Sequence, residues 1–210
     1  MRIFMRKVIV TSLISALLLL SLFYGGSLTV SYYRRWQASK LLAVVRQIHP
    51  GATTEAQSRI LLEPFAKYQT DSGNSLLVFQ FANFLPPPIP VPWTLFIACF
   101  KFANGQLAQI DLTEMQVDHP GYPHPNSASV SIYSNQLHSS PADFNGYSES
   151  SRSTGSVDSH GNWSGFECCH ARFIKLDERA TPAQYSRSLD FRLSCMTSFV
   201  QCRDDRRILP

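Results

Sequence analysis

The sequence is sparing with charge. Only 16% of its 210 residues are Asp, Glu, Lys or Arg, against 44% apolar. That balance excludes a chain disordered throughout, which would need more charge and fewer apolar residues. Acidic residues are missing altogether from the first 50 positions, which hold seven basic ones: Arg2, Arg6, Lys7, Arg34, Arg35, Lys40 and Arg46. The remainder carries twelve basic against fifteen acidic residues, about −3, so the overall +4 belongs to the N-terminal segment alone. A nucleic-acid footprint needs Lys and Arg clustered on the folded part, and no nucleic-acid partner is expected. Catalytic signatures are lacking too. There is no Gly-x-Ser-x-Gly elbow, no phosphate-binding Gly-x-x-x-x-Gly-Lys loop, no His-Glu-x-x-His and no dinucleotide fingerprint. Carboxylates are scattered, and no two are placed as an acid–base pair. The expectation is a protein without a catalytic site, cofactor or metal.

What the sequence does contain is one long uncharged run. From Val8 to Tyr33 no residue is ionised at neutral pH except by extreme perturbation, and the centre, Leu13 to Phe23, is dense in Leu, Ile and Phe. As a helix the run measures about 39 Å, more than the ~30 Å hydrocarbon core of a bilayer. Tyr32, Tyr33 and Trp36 stand at its C-terminal edge, where amphipathic rings favour the membrane interface. A cleaved secretory signal is the competing reading, with Gly25 and Ser27 as small residues near a cleavage point. Apolar character running on to Val30 favours an uncleaved anchor. Basic residues flank the run on both sides, so the positive-inside rule is nearly balanced; the basic N-terminal tail and the cysteines place the domain outside the cytoplasm. The boundaries expected are 1–34 for a cytoplasmic tail and transmembrane anchor, and 35–210 for one extracytoplasmic domain with a mobile loop region near 119–164.

There are five cysteines, Cys99, Cys168, Cys169, Cys195 and Cys202, none in the C-x-x-C spacing of a zinc site. In an exported domain all five are candidate disulfide cysteines. Cys195 with Cys202 would close a short loop, and Cys99 with one of the vicinal pair would tie a central strand to a late one. An odd count leaves one thiol over. Buried free thiols in a cytosolic domain are the alternative.

The folded part reads as α+β: an N-terminal transmembrane helix, then a small domain of antiparallel sheet with two or three packed helices. A helix over Arg35–Ile48 continues from the membrane and stops at His49-Pro50-Gly51. Thr54-Glu55-Ala56-Gln57 is a capping box opening a short helix to about Glu63 that buries Ala56, Ile60 and Leu61. Leu76–Phe84 and Thr94–Phe102 are strands. The second has Phe96, Ala98, Phe100 and Phe102 on one face and Leu95, Ile97 and Cys99 on the other, as in a central covered strand. The prolines between 86 and 92 cannot sit in a ladder. Asn104-Gly105 is a type I′ hairpin signal joining Thr94–Phe102 to a returning strand over Leu107–Val117. Beyond it, His119–Ser164 is rich in Pro, Ser, Asn and Gly. Within this stretch Ser129–Ser134 alternates like a half-exposed strand, and Asn162-Trp163-Ser164 is a glycosylation sequon. Gly165–Asp177 is a further strand, Thr181-Pro182-Ala183-Gln184 a second capping box, and Phe191–Pro210 a tail that packs back on the sheet.

Residues 48–114 resemble the small periplasmic domains of the SmpA/OmlA (BamE-like) outer-membrane assembly lipoproteins. The likeness lies in Ile48-His49-Pro50-Gly51-Ala52-Thr53, Leu62-Glu63-Pro64 and Phe102-Ala103-Asn104-Gly105-Gln106-Leu107. It implies two helices followed by a three-stranded antiparallel sheet. The chain departs from the pattern at Glu63, where the family has Gly, and in lacking a lipobox cysteine. The tail, Leu193-Ser194-Cys195-Met196-Thr197 to Leu209-Pro210, resembles those of uncharacterised bacterial single-pass membrane proteins. Together these readings lead to the expectation of a non-enzymatic envelope domain with the lipid bilayer and an envelope protein as partners. An extracytoplasmic thiol or hydrolytic enzyme built on Cys168, Cys169 or His170 is the alternative.

Overall fold

The computed structural model describes residues 2–73, 75–83, 93–117, 127–134, 146–157, 163–197 and 208–209, with backbone alone for 2–8, 72, 93, 117, 152–157 and 163–170. The fold is α+β. Helix α1, Arg2–Val45, is 44 residues long, about 66 Å. It is followed by α2 (Glu55–Leu62), a 3-10 segment (Glu63–Tyr68), and strands β1 (Gln69–Gly73), β2 (Leu76–Ala82), β3 (Trp93–Ala103) and β4 (Gln106–Val117). Then come β5 (Ser127–Tyr133), β6 (Tyr147–Val157), β7 (Trp163–Leu176), α3 (Pro182–Ser188) and a second 3-10 segment (Leu193–Thr197).

Seven described strands form one sheet in the order β1-β2-β3-β4-β5-β7-β6. The sheet is mixed rather than antiparallel throughout. β6 turns back along the outside of β7, which leaves β7 beside β5 and parallel to it over Ser127–Ile132 and Ala171–Leu176. The Ser-rich run that begins at Tyr147 is the edge strand β6, held by its ladder to β7 rather than by intrinsic strand preference. The prolines of 86–92, His119, His124 and the Asn162 sequon lie outside the described residues.

Local chemistry accounts for the turns. Asn104 and Gly105 adopt φ of 54° and 75°, the left-handed pair that a type I′ turn requires. Thr54 and Thr181 each receive the amide of Gln57 or Gln184, whose side chain in turn accepts from the Thr amide, so both capping boxes form. The face of α2 differs from expectation. Ser58 and Leu62 are buried, while Ala56, Ile60 and Leu61 are exposed. The helix is rotated because its first turn is tied to the β3–β4 hairpin: the Glu55 amide donates to Gly105, and Thr54 bridges Gln106.

One face of the sheet carries the core. Phe79, Phe81, Phe96 and Phe100 are fully buried there with Ile110, Leu112, Val130 and Ile174. The rings meet edge-on, Phe79 on Phe100 at 5.8 Å and Phe96 on Phe191 at 5.6 Å. Burial of each such ring contributes on the order of 2 kcal/mol. The second half of α1 lies on this face through Ala38, Leu41, Leu42, Val45 and Ile48, and the tail adds Leu193, Cys195, Met196, Ile208 and Leu209. On the opposite face Leu95, Ile97 and Cys99 are only half-buried. Strand β3 is central, but among the described residues it is covered on one face only.

The first half of α1 is a different object. Ten large apolar residues from Ile9 to Phe23 stand at 50–72% exposure. The helix is long and apolar enough to cross a membrane. Burial begins at Ser27 and recurs at Ser31, Gln37, Ala38, Leu41, Leu42 and Val45, the three-and-four spacing of one helical face. The same helix therefore passes without a break from an apolar cylinder to a core element.

Candidate functional site

Two places concentrate polar chemistry, one at each end of the packed part of α1. At its C-terminal end lies a cavity of about 420 Å³. The end of α1 and the turn after it supply Arg46, His49 and Pro50; β5 supplies Ile132 and Tyr133; the β7–α3 connection supplies Asp177, Glu178 and Ala180; and α3 supplies Pro182, Tyr185 and Ser186. Gly51 lets these elements approach. Its φ is +83°, and its amide donates to the Leu107 carbonyl at 2.8 Å. A Cβ there would meet Ser134 Oγ at 2.6 Å and Glu178 Oε1 at 2.8 Å.

The polar groups around the cavity are held in place. Tyr185 Oη donates to the Ile48 carbonyl at 3.3 Å, and its ring lies against His49 at 5.7 Å. Burial pushes the Tyr185 phenol up to about 12, so it is a hydrogen-bond donor rather than a base at neutral pH. Arg46 donates to the Leu189 carbonyl at 3.3 Å and has further N–H groups left for a ligand. Ser134 Oγ donates to Glu178 at 3.0 Å, and the buried Asp177 carboxylate pairs with Arg179 at 2.6 Å. The result is a basic side from α1 and an acidic side from the β7–α3 connection, with Ile132, Pro50, Ala180 and Pro182 as apolar surface. Such a lining suits an amphoteric guest with an apolar body, as a polypeptide segment is.

The second place is a buried polar cluster at the N-terminal end of the packed part of α1. Arg34 donates to the Ala82 carbonyl and Arg35 to Thr197 Oγ1, at 2.9 and 2.8 Å. Thr94 is fully buried and its Oγ1 donates to the Cys195 carbonyl at 3.2 Å, while its amide donates to Asn83 Oδ1 at 2.9 Å. Beside them on β4 are Glu114, fully buried, and Gln116, nearly so. Among the described residues neither oxygen of Glu114 has a hydrogen-bond partner, nor has Nε2 of Gln116. Burial raises the Glu114 carboxyl well above its ordinary value, against a smaller opposing effect of Arg35. The sequence does signal this placement. With Ile110 and Leu112 inward, the period of a strand puts Glu114 and Gln116 inward as well.

The cysteines do not form one site. Cys99 is a free thiol on the half-buried face of β3, opposite Val78 and Asp111, with no cysteine on either neighbouring strand. The expected bridge from Cys99 to the vicinal pair does not form. Burial, and secondarily Asp111, raise its thiol. Cys195 is buried in the second 3-10 segment and is disulfide-bonded, its partner lying outside the described residues. Cys169 and His170 fall in the β6–β7 ladder opposite Thr154 and Ser153, and Cys168 sits at the adjoining register shift. The side chains of Cys168, Cys169 and Cys202 lie outside the described residues. Among the described residues no group of three His, Cys, Asp or Glu side chains is placed to hold a metal ion.

Comparison with protein-family models, with curated proteins and with solved structures returns no match.

Proposed function

We propose that the chain is a single-pass membrane protein of a bacterial envelope whose domain faces away from the cytoplasm and binds a polypeptide partner without catalysing a reaction on it. The observation that carries this reading is the continuity of α1. Ten exposed large apolar residues precede the point where the same helix enters the core, a surface that water penalises and a bilayer accommodates. The cavity lies about 18 Å further along α1 than Arg34, at the end of the domain away from the apolar half. It is thus presented to a partner rather than to lipid. The disulfide at Cys195 supports an oxidising compartment. The likeness of residues 48–114 to small periplasmic domains supports the same side.

Two measurements test it. The full chain should stay with membranes through alkaline carbonate extraction, and release into the supernatant would refute the anchor. A photo-crosslinking residue at Ser186, on the cavity, should yield one defined adduct with a polypeptide in intact cells. A crosslinker at Gln80, on the far face of β2, should not yield it, and Arg46→Ala should weaken it. Recovery of the uncrosslinked monomer alone from the cavity position would refute partner binding there.

A further inference from the structure

Glu114 serves neither the apolar half of α1 nor the cavity, and its surroundings make it costly. A buried carboxyl group with no hydrogen-bond partner is rare in a stable fold and calls for an account of why it is retained. Arg35, on the packed half of α1, is close enough to act on the carboxyl, and it is also the residue that ties α1 to the 3-10 segment Leu193–Thr197. Arg35 reaches across to the 3-10 segment and donates to Thr197 Oγ1 at 2.8 Å. Thr94, on the neighbouring strand, donates its hydroxyl to the Cys195 carbonyl of the same segment at 3.2 Å. These two hydrogen bonds fasten the segment to both α1 and the sheet.

We propose that Glu114 is a proton-controlled latch, in which loss of its proton draws Arg35 away from Thr197 and loosens the 3-10 segment and the packed half of α1 from the sheet. In the protonated state the carboxyl is neutral and Arg35 is free to hold Thr197. On ionisation the proton passes to solvent and leaves a carboxylate in an apolar enclosure. Arg35 is the guanidinium able to answer it. Arg34, one residue earlier on α1, is engaged on the Ala82 carbonyl. From β7 the nearest cation in register is Arg172, two strands away across Ala128, and it is held by Glu149 and the Leu209 carbonyl. From β2 and β3 the facing polar groups are Asn83 and Thr94, and from the 3-10 segment Thr197; none of these titrates, and Cys195 is disulfide-bonded. Among the described residues, a charge at Glu114 is therefore relieved through Arg35, which draws its guanidinium from Thr197, or by opening to water, and both routes undo the fastening there.

The test is hydrogen exchange of the full chain in detergent micelles from about pH 5 to about pH 9, corrected for the intrinsic rate. One proton released on opening makes the opening equilibrium rise by up to about tenfold per pH unit, between the ordinary carboxyl range and the folded value. Peptides covering 31–45 and 193–197 should lose protection by that factor, while those covering β2 and β3 do not. Glu114→Gln, isosteric with the neutral acid, should hold protection constant. Arg35→Gln removes the fastening at Thr197 together with the group that favours the charged carboxylate, so it should lower protection of 193–197 already at about pH 5 and move the remaining pH-dependent loss to higher pH. Protection independent of pH in the unmodified chain would overturn the proposal, and so would an equal loss in Glu114→Gln. Should Glu114→Gln fail to fold, Glu114→Leu removes the same proton and is held to the same criterion.

Discussion

Replacing Gly51 by Ala separates backbone strain from side-chain collision at the cavity. Gly51 sits at φ +83°, where an L-residue costs about 1–2 kcal/mol. The new methyl would also stand 2.6 Å from Ser134 Oγ, closer than a carbon and an oxygen can pack. Ser134 must turn away, and its hydrogen bond to Glu178 is lost, a further ~1 kcal/mol. The sum is about 2–3 kcal/mol, or roughly 5–10 °C in melting temperature for a chain of this size. Thermal unfolding of the detergent-solubilised full chain reads the total, and a double-mutant cycle reads the parts. Ser134→Ala alone removes the hydrogen bond and the oxygen that collides. In that background Glu178, no longer held by Ser134, can swing clear of the methyl it would otherwise meet at 2.8 Å, so Gly51→Ala should cost only the backbone part and the two changes should be less than additive by about 1 kcal/mol. Full additivity would refute the collision. A Gly51→Ala chain as stable as the parent would refute both the strain and the close approach that shapes the cavity.

Other consequences are direct. Because the folded Glu114 carboxyl lies above its unfolded value, the folded chain binds the extra proton, so the contribution of this group to stability is fully present below the ordinary carboxyl range. It falls as pH rises from the ordinary carboxyl range towards the folded value, by up to ~1.4 kcal/mol per unit; Glu114→Gln should remove this slope, as equilibrium melts at several pH values would reveal. Asn104→Val puts a β-branched residue at φ 54° and should destabilise the β3–β4 hairpin by about 2 kcal/mol, whereas Asn104→Gly should be close to neutral by the same measurement. Cys99, half-buried with its thiol raised by burial, should alkylate more slowly than a model thiol at pH 8, and Cys195 should react only after reduction, as peptide mapping would report. Tyr185→Phe removes the donor to the Ile48 carbonyl and should cost about 1 kcal/mol while leaving the crosslink from Ser186 in place.

Much of the architecture follows from local chemistry that a reader of the sequence can apply. The I′ turn at Asn104-Gly105, both capping boxes, the inward row Phe96, Ala98, Phe100 and Phe102, and the return of the tail to the core are each dictated by residues within a few positions of one another. What the sequence does not disclose depends on contacts distant along the chain. The rotation of α2, which buries Ser58 and Leu62 in place of Ala56 and Ile60, is set by a bridge to Gln106 that no helical periodicity encodes. The parallel pairing of β5 with β7 depends on which side of β7 the strand β6 occupies. The cavity draws on α1, β5, the β7–α3 connection and α3, and no motif spans all four. Glu114 is the intermediate case: strand parity points it inward, but the missing partner emerges only once α1 and the 3-10 segment are laid over it.

These observations bear on why α1 is one helix rather than an anchor joined by a flexible linker. A linker would let the domain turn freely and would make the burial of Gln37 and Ala38 beside the sheet unnecessary. Here the residues that leave the apolar half are the same ones that fasten the domain, since Arg34 and Arg35 grip β2 and the 3-10 segment within one residue of each other. A displacement of the apolar half would be delivered first to Arg35, hence to Thr197 and to Glu114 beneath it. Conversely, a polypeptide bound in the cavity, as proposed above, would pull on the far end of the same rigid element through Arg46 and His49. A helix interrupted near Gln37, for example by Gln37→Pro, should leave membrane extraction unchanged. It should also abolish any effect of Glu114 ionisation on the protection of residues 41–45. If that protection still follows pH in the interrupted chain, the helix is not the element that carries the coupling.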